Sequence, residues 1–398
     1  MPVKQSIVMT KSQGERSTTS LRHIPALDGL RGFAILLVFI FHYGGGSSSP
    51  NPLLHFVGLV RVGLWIGVPL FFVLSGYLIT GILWVSFSDL HWWKNFYIRR
   101  SLRIFPLYYL SLAIIGVTAF AFGDLRIYLS HIWPFALYLQ NLPFAFTMAD
   151  LGSPARGDIY WSLAVEEHFY LVWPFLLFAA RSLRQARFFC VLIFVISFAF
   201  RLFGTIPGHE IRFIPGNTLS RVGELAIGAF LALLAQDSQA TWDRVTRNAP
   251  FIAVGALVSY LVLGYYTGTL APVSRGMIVF GMPCVGILFG AILVLCMRQG
   301  TWMERVAETR WLRSLGKISY GVYIYHALAM PLAAAAAAHF FSEGAHNALL
   351  GTRFLFGAIL SVGFALLSFK FFESPFLALK DRFTKKQYPV PPLRTVVD

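Results

Sequence analysis

The sequence predicts an all-α protein, a polytopic membrane helix bundle with about ten transmembrane helices. The prediction rests on an excess of apolar residues, on a series of long apolar segments and on a one-sided distribution of lysine and arginine. Of the 398 residues, 57% are hydrophobic and 13% are charged, whereas soluble domains are roughly 45–50% apolar and about 25% charged. So few charges cannot cover the surface of a soluble protein of this size. The composition therefore argues against a soluble enzyme, a nucleic-acid-binding domain and a disordered chain.

Ten apolar segments have about the 20 residues that a transmembrane helix needs. They lie at 25–44, 64–86, 102–122, 159–180, 188–204, 217–235, 250–268, 275–298, 318–340 and 352–372. An eleventh apolar stretch, 127–146, contains two prolines, Pro134 and Pro143, and the polar pair Gln140 and Asn141. Backbone of this kind is tolerated at membrane depth only where it is buried against protein or lines a cavity. We therefore expect 127–146 to be a re-entrant or interfacial segment.

The placement of lysine and arginine distinguishes ten crossings from eleven. The chain carries 33 of these residues against 18 Asp and Glu, which gives a net charge of +15. With ten crossings and a cytoplasmic N-terminus, most of them fall on the cytoplasmic side, as the positive-inside rule requires. A crossing at 127–146 would move most of them outside. We therefore predict an integral membrane protein with both termini in the cytoplasm, and we expect no nucleic-acid partner.

The sequence predicts three regions along the chain. Residues 1–24 are polar and basic and are expected to form a disordered cytoplasmic N-terminus. Residues 25–372 form the transmembrane domain, and residues 373–398 form a basic cytoplasmic tail. The three cysteines lie in apolar stretches without the paired spacing of a disulfide framework or a zinc site, so no metal is expected.

The first predicted span carries two ionisable residues, Arg31 and His42. Ionisable groups within a span are costly, so each is a candidate functional residue. Eleven residues correspond to within about 20° of three helical turns, so both side chains lie on one helix face, roughly 16 Å apart along the axis. Arg31 lies at the cytoplasmic entrance and His42 in the outer half. A catalytic histidine and an imidazole bonded to a neighbouring carbonyl are equally good interpretations of His42.

A cluster of arginines, 99–103, precedes the third span. Arg100 and Arg103 are three residues apart and face the same way on a helix. Guanidinium groups match phosphate oxygens in a bidentate manner, so this pair suits a phosphate clamp. The alternative is an ordinary positive-inside anchor.

The fourth span begins with a polar stripe in which Ser162, Glu166 and Tyr170 recur every four residues. Glu166 is expected at a similar depth to His42. A carboxylate beside an imidazole fixes its tautomer and raises its basicity, so we expect Glu166 to orient His42 for catalysis. The alternative is a structural glutamate that bonds between helices.

Two weaker signals follow in later spans. His326 ends a stripe of Ser319, Tyr323 and His326 in the ninth span. It is a candidate for lining a cofactor tunnel, and a packed, bonded histidine is the equal alternative. Arg221 and Glu224 begin the sixth span three residues apart, at a spacing that fits a pair with each other.

With these residues in place, the chain resembles the membrane-bound acyltransferase 3 family, which includes bacterial polysaccharide, Nod-factor and macrolide O-acyltransferases. The matching segments occur in family order and together cover about residues 22–380. Each segment alone is a weak signal, but the ordered set is highly specific. They are 26–32 with His42, 67–80 (GVPLFFVLSGYLIT), 99–106, 161–174 (WSLAVEEHFYLVWP), 221–232 (RVGELAIGAFLA), 315–326 (LGKISYGVYIYH) and 372–375 (FESP).

The resemblance implies a membrane O-acyltransferase of the bacterial cytoplasmic (inner) membrane. It would transfer an acyl group, most often acetyl, from cytoplasmic acyl-CoA to a hydroxyl of a glycan, a lipid-linked sugar or a small glycosylated acceptor. The catalytic residues implied are His42, as general base or transient acyl carrier, and Glu166. The residues implied for holding the donor are Arg31, Arg100, Arg103 and His326. Many relatives append an extracytoplasmic SGNH-type hydrolase domain, which we expect this chain to lack.

The same buried charges also fit other functions. A transporter or flippase for glycans or small anions would use them to line a substrate path, although no internal repeat pairs the two halves of the chain. A relative that has lost catalysis and acts as a membrane sensor is a further alternative, which the intact histidine, glutamate and arginine set argues against.

Overall fold

The computed structural model describes residues 24–44, 58, 60–148, 150–155, 157–206, 211–341 and 346–383. Within these ranges the chain is helical apart from turns and short irregular segments, and it forms no strand. The predicted all-α fold class is thereby confirmed. Nearly all of the predicted N-terminal region, residues 1–24, and most of the predicted tail, residues 373–398, lie outside the described residues. The described portion of the tail is helical.

Fourteen α-helices are present in the described ranges. They are α1 (Pro25–Tyr43), α2 (Gly67–Ser86), α3 (Trp92–Ala121), α4 (Leu125–Ala136), α5 (Trp161–Ala179), α6 (Leu183–Gly204), α7 (Thr218–Ala235), α8 (Gln239–Thr267), α9 (Met282–Met297), α10 (Trp302–Ala307), α11 (Arg310–Lys317), α12 (Ser319–Phe340), α13 (His346–Ser368) and α14 (Ser374–Phe383). Short 3₁₀ turns precede α2, α5 and α7, and single π-helical turns precede α9 and α14.

Nine helical runs in the described chain are long and apolar enough to cross a membrane. They correspond to nine of the ten predicted spans, so the polytopic helix bundle is confirmed. The remaining predicted span, 159–180, is α5, which has 19 residues and carries Glu166, Glu167 and His168 in its first half. These three polar side chains make α5 less apolar than the others. Its crossing of the membrane therefore stays a prediction.

The segment 127–146 does not form a spanning helix. Its only α-helix, α4, has 12 residues and is therefore about 18 Å long, short of the roughly 30 Å of hydrocarbon in a bilayer. The two ends of the segment also meet, because a Cβ atom on Gly152 would lie 2.8 Å from the Cβ of Asp124. The chain thus leaves α3 and returns to the same place, as the sequence predicts for a re-entrant or interfacial segment.

The polar residues that interrupt this segment are buried and hydrogen-bonded. Gln140 is 7% exposed and Asn141 is 6% exposed. The Gln140 amide donates to the carbonyl oxygen of Tyr160 (2.9 Å), and the Asn141 amide donates to the hydroxyl of Thr218 (2.7 Å). The segment therefore inserts its polar side chains between the first turns of α5 and α7 and fixes those helix ends together.

The helices differ in how much of their surface the protein itself covers. In the apolar stretch of Val60–Ser86 and of Met277–Met297, 72% of the residues are buried within the bundle. The corresponding share is 22% in Leu183–Gly204, Gln239–Thr267 and Ala348–Lys380. The first two are therefore central and the other three peripheral. The central helices and α1 share one cluster of buried apolar side chains, and α1 and α2 also line the candidate site described below.

Helices approach closely enough to exclude any side chain larger than hydrogen at two places in the bundle. A Cβ atom on Gly76 of α2 would lie 1.9 Å from the carbonyl oxygen of Leu225, and one on Gly228 of α7 would lie 2.0 Å from that of Val73. Small residues at such contacts let helix backbones meet directly in a membrane. This reciprocal contact fixes α2 against α7.

The second close approach holds the start of α1. Cβ atoms on Gly29 and Gly32 would lie 1.6 and 2.1 Å from the carbonyl oxygens of Ala307 and Leu312. The short helices α10 and α11 therefore pack directly against the backbone of the first turns of α1. This contact sets the position of the helix that carries both Arg31 and His42.

We expect Gly76→Ala to lower the stability of the bundle by about 1–3 kcal/mol, because an added methyl group must displace backbone rather than a flexible side chain. The thermal unfolding midpoint of the purified protein in detergent measures this effect. Gly255→Ala in α8 is the matched control, since its Cβ position meets no atom within 4 Å apart from its own stretch of helix. Equal midpoints for the two variants would contradict the close contact.

We expect residues on either side of 127–146 to lie on the same side of the membrane. In a protein without native cysteines, Arg126→Cys and Asp150→Cys, which replace two exposed residues, should react with a membrane-impermeant thiol reagent from the same side. Arg310→Cys at the exposed start of α11, which the predicted topology assigns to the cytoplasm, is the control for the opposite side. Labelling of positions 126 and 150 from opposite sides would show that the segment crosses.

Candidate active site

One cavity contains four of the six candidate site residues. Arg31 of α1, Arg100 and Arg103 of α3, and Glu166 of α5 all line it. The structure thus brings together side chains from three helices that are far apart in the sequence. The remaining lining residues are Val68, Phe71, Phe72, Ser75, Ile104, Ser162, Leu163, Glu167, Tyr170, Ser319, Tyr320 and Tyr323.

The three arginines give one end of the cavity a positive charge. Arg31 is 22% exposed, and one of its guanidinium nitrogens lies 3.9 Å from a carboxylate oxygen of Asp28. The Arg100 guanidinium lies over the ring of Tyr170, 5.5 Å from the ring centroid. Arg103, one turn further along α3, is exposed. This end of the cavity offers the fixed N–H donors that a phosphate group requires.

The carboxylate of Glu166 is held by two hydroxyl groups. Its Oε1 accepts a hydrogen bond from Ser75 (2.8 Å), and its Oε2 accepts one from Tyr170 (2.8 Å). Both oxygens are therefore engaged inside the cavity. The expectation that Glu166 orients His42 needs correction, because its contacts turn it toward the arginine end.

A backbone carbonyl takes the orienting role at His42. The Nδ1 atom of His42 lies 2.9 Å from the carbonyl oxygen of Val38, four residues earlier in α1. A carbonyl oxygen only accepts, so Nδ1 carries the hydrogen and Nε2 is the basic nitrogen of the neutral ring. The bonded-histidine interpretation and the catalytic interpretation are therefore compatible, since this bond leaves the basic nitrogen on the other side of the ring.

The structure places His326 beside His42 rather than in the cavity. The centroids of the two rings are 5.0 Å apart, and His326 is completely buried. Its Nδ1 lies 2.5 Å from the carbonyl oxygen of Tyr323, so the same argument makes Nε2 its basic nitrogen. The hydroxyl of Tyr43 donates to the carbonyl oxygen of His326 (2.7 Å) and fastens α1 to α12 at this level. The expectation that His326 lines the donor cavity is corrected accordingly.

Tyr323 and Ser162 connect the cavity to the histidine pair. Both line the cavity. The Tyr323 hydroxyl donates to the carbonyl oxygen of Ile159 (2.8 Å) and accepts from the Ser162 hydroxyl (2.5 Å). His326 follows Tyr323 by three residues on α12, which is about 4.5 Å along the helix axis. The cavity therefore reaches from the arginines to a point less than one turn from the histidines.

The sequence did not assign a role to Ser75. A lone hydroxyl in the apolar run 67–80 gives no indication of what it faces. The close approach at the neighbouring Gly76 turns this stretch of α2 toward the interior, where Ser75 meets Glu166. A polar residue next to a small residue in an otherwise apolar helix was the available signal.

The described residues contain no group of three or more His, Cys, Asp or Glu side chains that could hold a metal ion. The polar groups of the cavity are guanidinium, carboxylate and hydroxyl groups. These groups recognise anions and handle protons.

Comparison with known proteins gives a family and several relatives. A family model described as an acyltransferase domain, acyltransferase 3, matches residues 24–370. The chain is 30% identical to YrhL of Bacillus subtilis (strain 168), named as a candidate peptidoglycan O-acetyltransferase, with 77% of this chain and 48% of that protein aligned. It is 26% identical to the peptidoglycan O-acetyltransferase OatA of Listeria monocytogenes serovar 1/2a, with 77% and 49% aligned.

A candidate O-acetyltransferase of Staphylococcus aureus (strain COL) is 27% identical, with 92% of this chain and 59% of that protein aligned. The chain therefore spans about half of the length of the curated relatives it matches. No solved structure gives a significant match. The family model covers the transmembrane bundle from the first residue before α1 to the π-helical turn after α13, so the protein is an integral membrane protein and belongs to the acyltransferase 3 family.

Proposed function

We propose that the protein is a membrane O-acyltransferase that moves an acyl group, acetyl in the simplest case, from acyl-CoA to a hydroxyl of a glycan or lipid-linked sugar. The names of the relatives support acetyl transfer and a carbohydrate acceptor such as peptidoglycan. One observation carries the proposal for this chain. A single cavity has three arginines at one end and, at the other, ends less than one helical turn from the His42–His326 pair.

The arginine end fits the phosphates of the donor. Arg31, Arg100 and Arg103 would hold them, because guanidinium forks match phosphate oxygens. The walls beyond them include Val68 and Ile104, which suit the uncharged arm of acyl-CoA. With the positive-inside topology, this end faces the cytoplasm, where acyl-CoA is made.

Glu166 belongs to the donor end in this proposal. It interacts electrostatically with Arg100 and Arg31, and the hydroxyls of Ser75 and Tyr170 fix its position. We infer that it holds the arginines in place and limits their mutual repulsion. Its effect on catalysis would then be exerted through donor binding.

His42 is the proposed general base. The donor supplies a thioester carbonyl. Nε2 of His42 accepts the proton of the acceptor hydroxyl while the new C–O bond forms, and the imidazolium returns that proton to sulfur as the C–S bond breaks. The bond from Nδ1 to the Val38 carbonyl keeps the ring in the tautomer that this step needs. His326 packs beside the ring and restricts its orientation.

Replacing His42 by alanine should reduce acyl transfer by at least about a hundredfold, because general-base catalysis contributes roughly 10²–10⁴-fold. The measurement is transfer of label from acetyl-CoA to glycan or lipid in membranes that contain the variant. His339→Ala, at the exposed end of α12, is the matched control. Full activity of His42→Ala at an unchanged unfolding midpoint would contradict the assignment. Substrate movement without consumption of acetyl-CoA would instead indicate a transporter or flippase.

Replacing Arg100 or Arg103 by glutamine should raise KM for acyl-CoA by about tenfold each, since a hydrogen bond to a charged group contributes roughly 1.5–3 kcal/mol. Steady-state kinetics at saturating acceptor measure this change. Arg99→Gln is the control within the same cluster, because Arg99 is exposed and is not among the cavity-lining residues. If all three variants keep the KM of the unmodified protein, Arg100 and Arg103 are topology anchors only.

A further inference from the structure

A second group of buried charges lies outside the cavity, where α6 ends and α7 begins. Arg201, Arg221 and Glu224 are each 1% exposed. A guanidinium nitrogen of Arg221 lies 3.0 Å from a carboxylate oxygen of Glu224, as the sequence spacing indicates. Arg201 joins them from α6 and donates to the carbonyl oxygen of Ser220 (2.6 Å). The cluster thus contains two guanidinium groups and one carboxylate, of which only Arg221 pairs with Glu224 directly, and it holds one positive charge in excess.

The cluster also has more hydrogen-bond donors than acceptors. Among the residues that the structure describes, Nε and Nη2 of Arg201 and Nε of Arg221 have no hydrogen-bond partner. The side-chain oxygens without a partner in the cluster are Oε2 of Glu224 and the hydroxyl oxygen of Ser220. Buried guanidinium N–H groups are costly unless an acceptor satisfies them. Charge and hydrogen bonding therefore both call for one further oxygen with a negative charge.

Three aromatic rings surround Arg221. Its guanidinium carbon lies 5.4, 5.5 and 5.3 Å from the ring centroids of Trp65, Phe72 and Trp161. Ring faces stabilise a cation without accepting its N–H groups in the guanidinium plane. Arg221 is therefore kept charged and positioned while an N–H group stays available. Phe72 also lines the cavity, so the cluster lies directly behind the cavity wall.

The cluster lies at the same end of the bundle as the histidine pair. Trp161 is the first residue of α5, Arg221 is the fourth residue of α7, and His42 is the last residue but one of α1. If α5 crosses the membrane as the sequence predicts, alternating crossings would place these helix ends together on the side opposite the donor arginines. The acceptor of the proposed reaction would approach from this side.

We propose that Arg201, Arg221 and Glu224 form an anion-binding subsite that takes a carboxylate or phosphate group of the acceptor. The assignment of the anion to the acceptor rests on the proposed acyl transfer, whereas anion binding itself does not. The subsite would favour glycans that carry such a group close to the hydroxyl that is acylated.

Anion binding can be tested on the full chain purified in detergent, by titrating inorganic phosphate or acetate against chloride at constant ionic strength. The thermal unfolding midpoint should rise in a saturable manner. Arg201→Gln removes the excess charge and should weaken the apparent affinity at least tenfold. Glu224→Gln increases the excess charge and should strengthen the affinity severalfold, which keeps the test decisive if Arg201→Gln does not fold.

Two controls separate this site from others. The first control is Arg187→Gln. Arg187 lies in α6, as Arg201 does, and pairs with Asp237 at 2.6 Å, where its hydrogen bond holds the pKa of Asp237 below its usual value. This variant should leave the anion affinity unchanged. The double variant Arg100→Gln with Arg103→Gln removes any phosphate effect that arises at the donor end. Equal anion affinities in the unmodified protein, Arg201→Gln and Glu224→Gln would overturn the subsite and leave a cluster satisfied by water.

Whether the bound anion belongs to the acceptor can be tested separately, by acyl-transfer kinetics. With a muramyl oligosaccharide as acceptor, Arg201→Gln should raise KM for the acceptor about tenfold and leave KM for acetyl-CoA unchanged. The same oligosaccharide with its carboxylate reduced to an alcohol should show no difference between the variant and the unmodified protein. Equal effects on both acceptors would overturn the acceptor assignment. A complete lack of acetyl-CoA turnover in the unmodified protein would refute the proposed function without affecting the measured anion binding.

Discussion

The arrangement of the bundle depends on the constraint that a charge inside an apolar interior must have a partner. Three different partners meet this constraint here. Arg31 lies near the carboxylate of Asp28, Glu166 accepts from two hydroxyl groups, and Arg221 combines a carboxylate with three aromatic ring faces. The Arg31–Asp28 pair lies within α1, whereas the partners of Glu166 and Arg221 come from other helices as well. These two buried charges therefore also determine which helices must lie side by side.

Much of the fold could be predicted because it follows from hydropathy and charge placement alone. Apolar length identifies the spans, and the distribution of arginine and lysine identifies 127–146 as a segment that does not cross. The helix α5 shows the limit of this reasoning. Its polar side chains Glu166, Glu167 and His168 lower its hydropathy, so length and composition distinguish it less clearly from a buried helix of a soluble protein.

The sequence predicts which residues belong to the candidate site better than it predicts which of them contact one another. The spacing of Arg31 and His42 follows from helix geometry, and the arginines of α3 were visible as a cluster. The partner of His42 was not visible, because Val38 contributes a carbonyl oxygen that any residue would offer. The contact with His326 joins α1 to α12 and depends on tertiary packing that no local period encodes. The contacts of Glu166 with Ser75 and Tyr170 could not be predicted, because depth along a helix does not determine the direction in which a side chain points.

The close packing of α10 and α11 against the first turns of α1 has a consequence for substrate selection. Arg31 and His42 belong to one continuous helix whose backbone cannot slide past its neighbours at Gly29 and Gly32. The distance between the anchoring end and the reacting end is therefore fixed at roughly 16 Å along the axis. Under the proposed mechanism α1 acts as a molecular ruler. A donor whose thioester lies closer to its phosphates would bind at the arginines, but its carbonyl would not extend as far as His42. The length of the donor therefore decides, together with its affinity, which thioesters react.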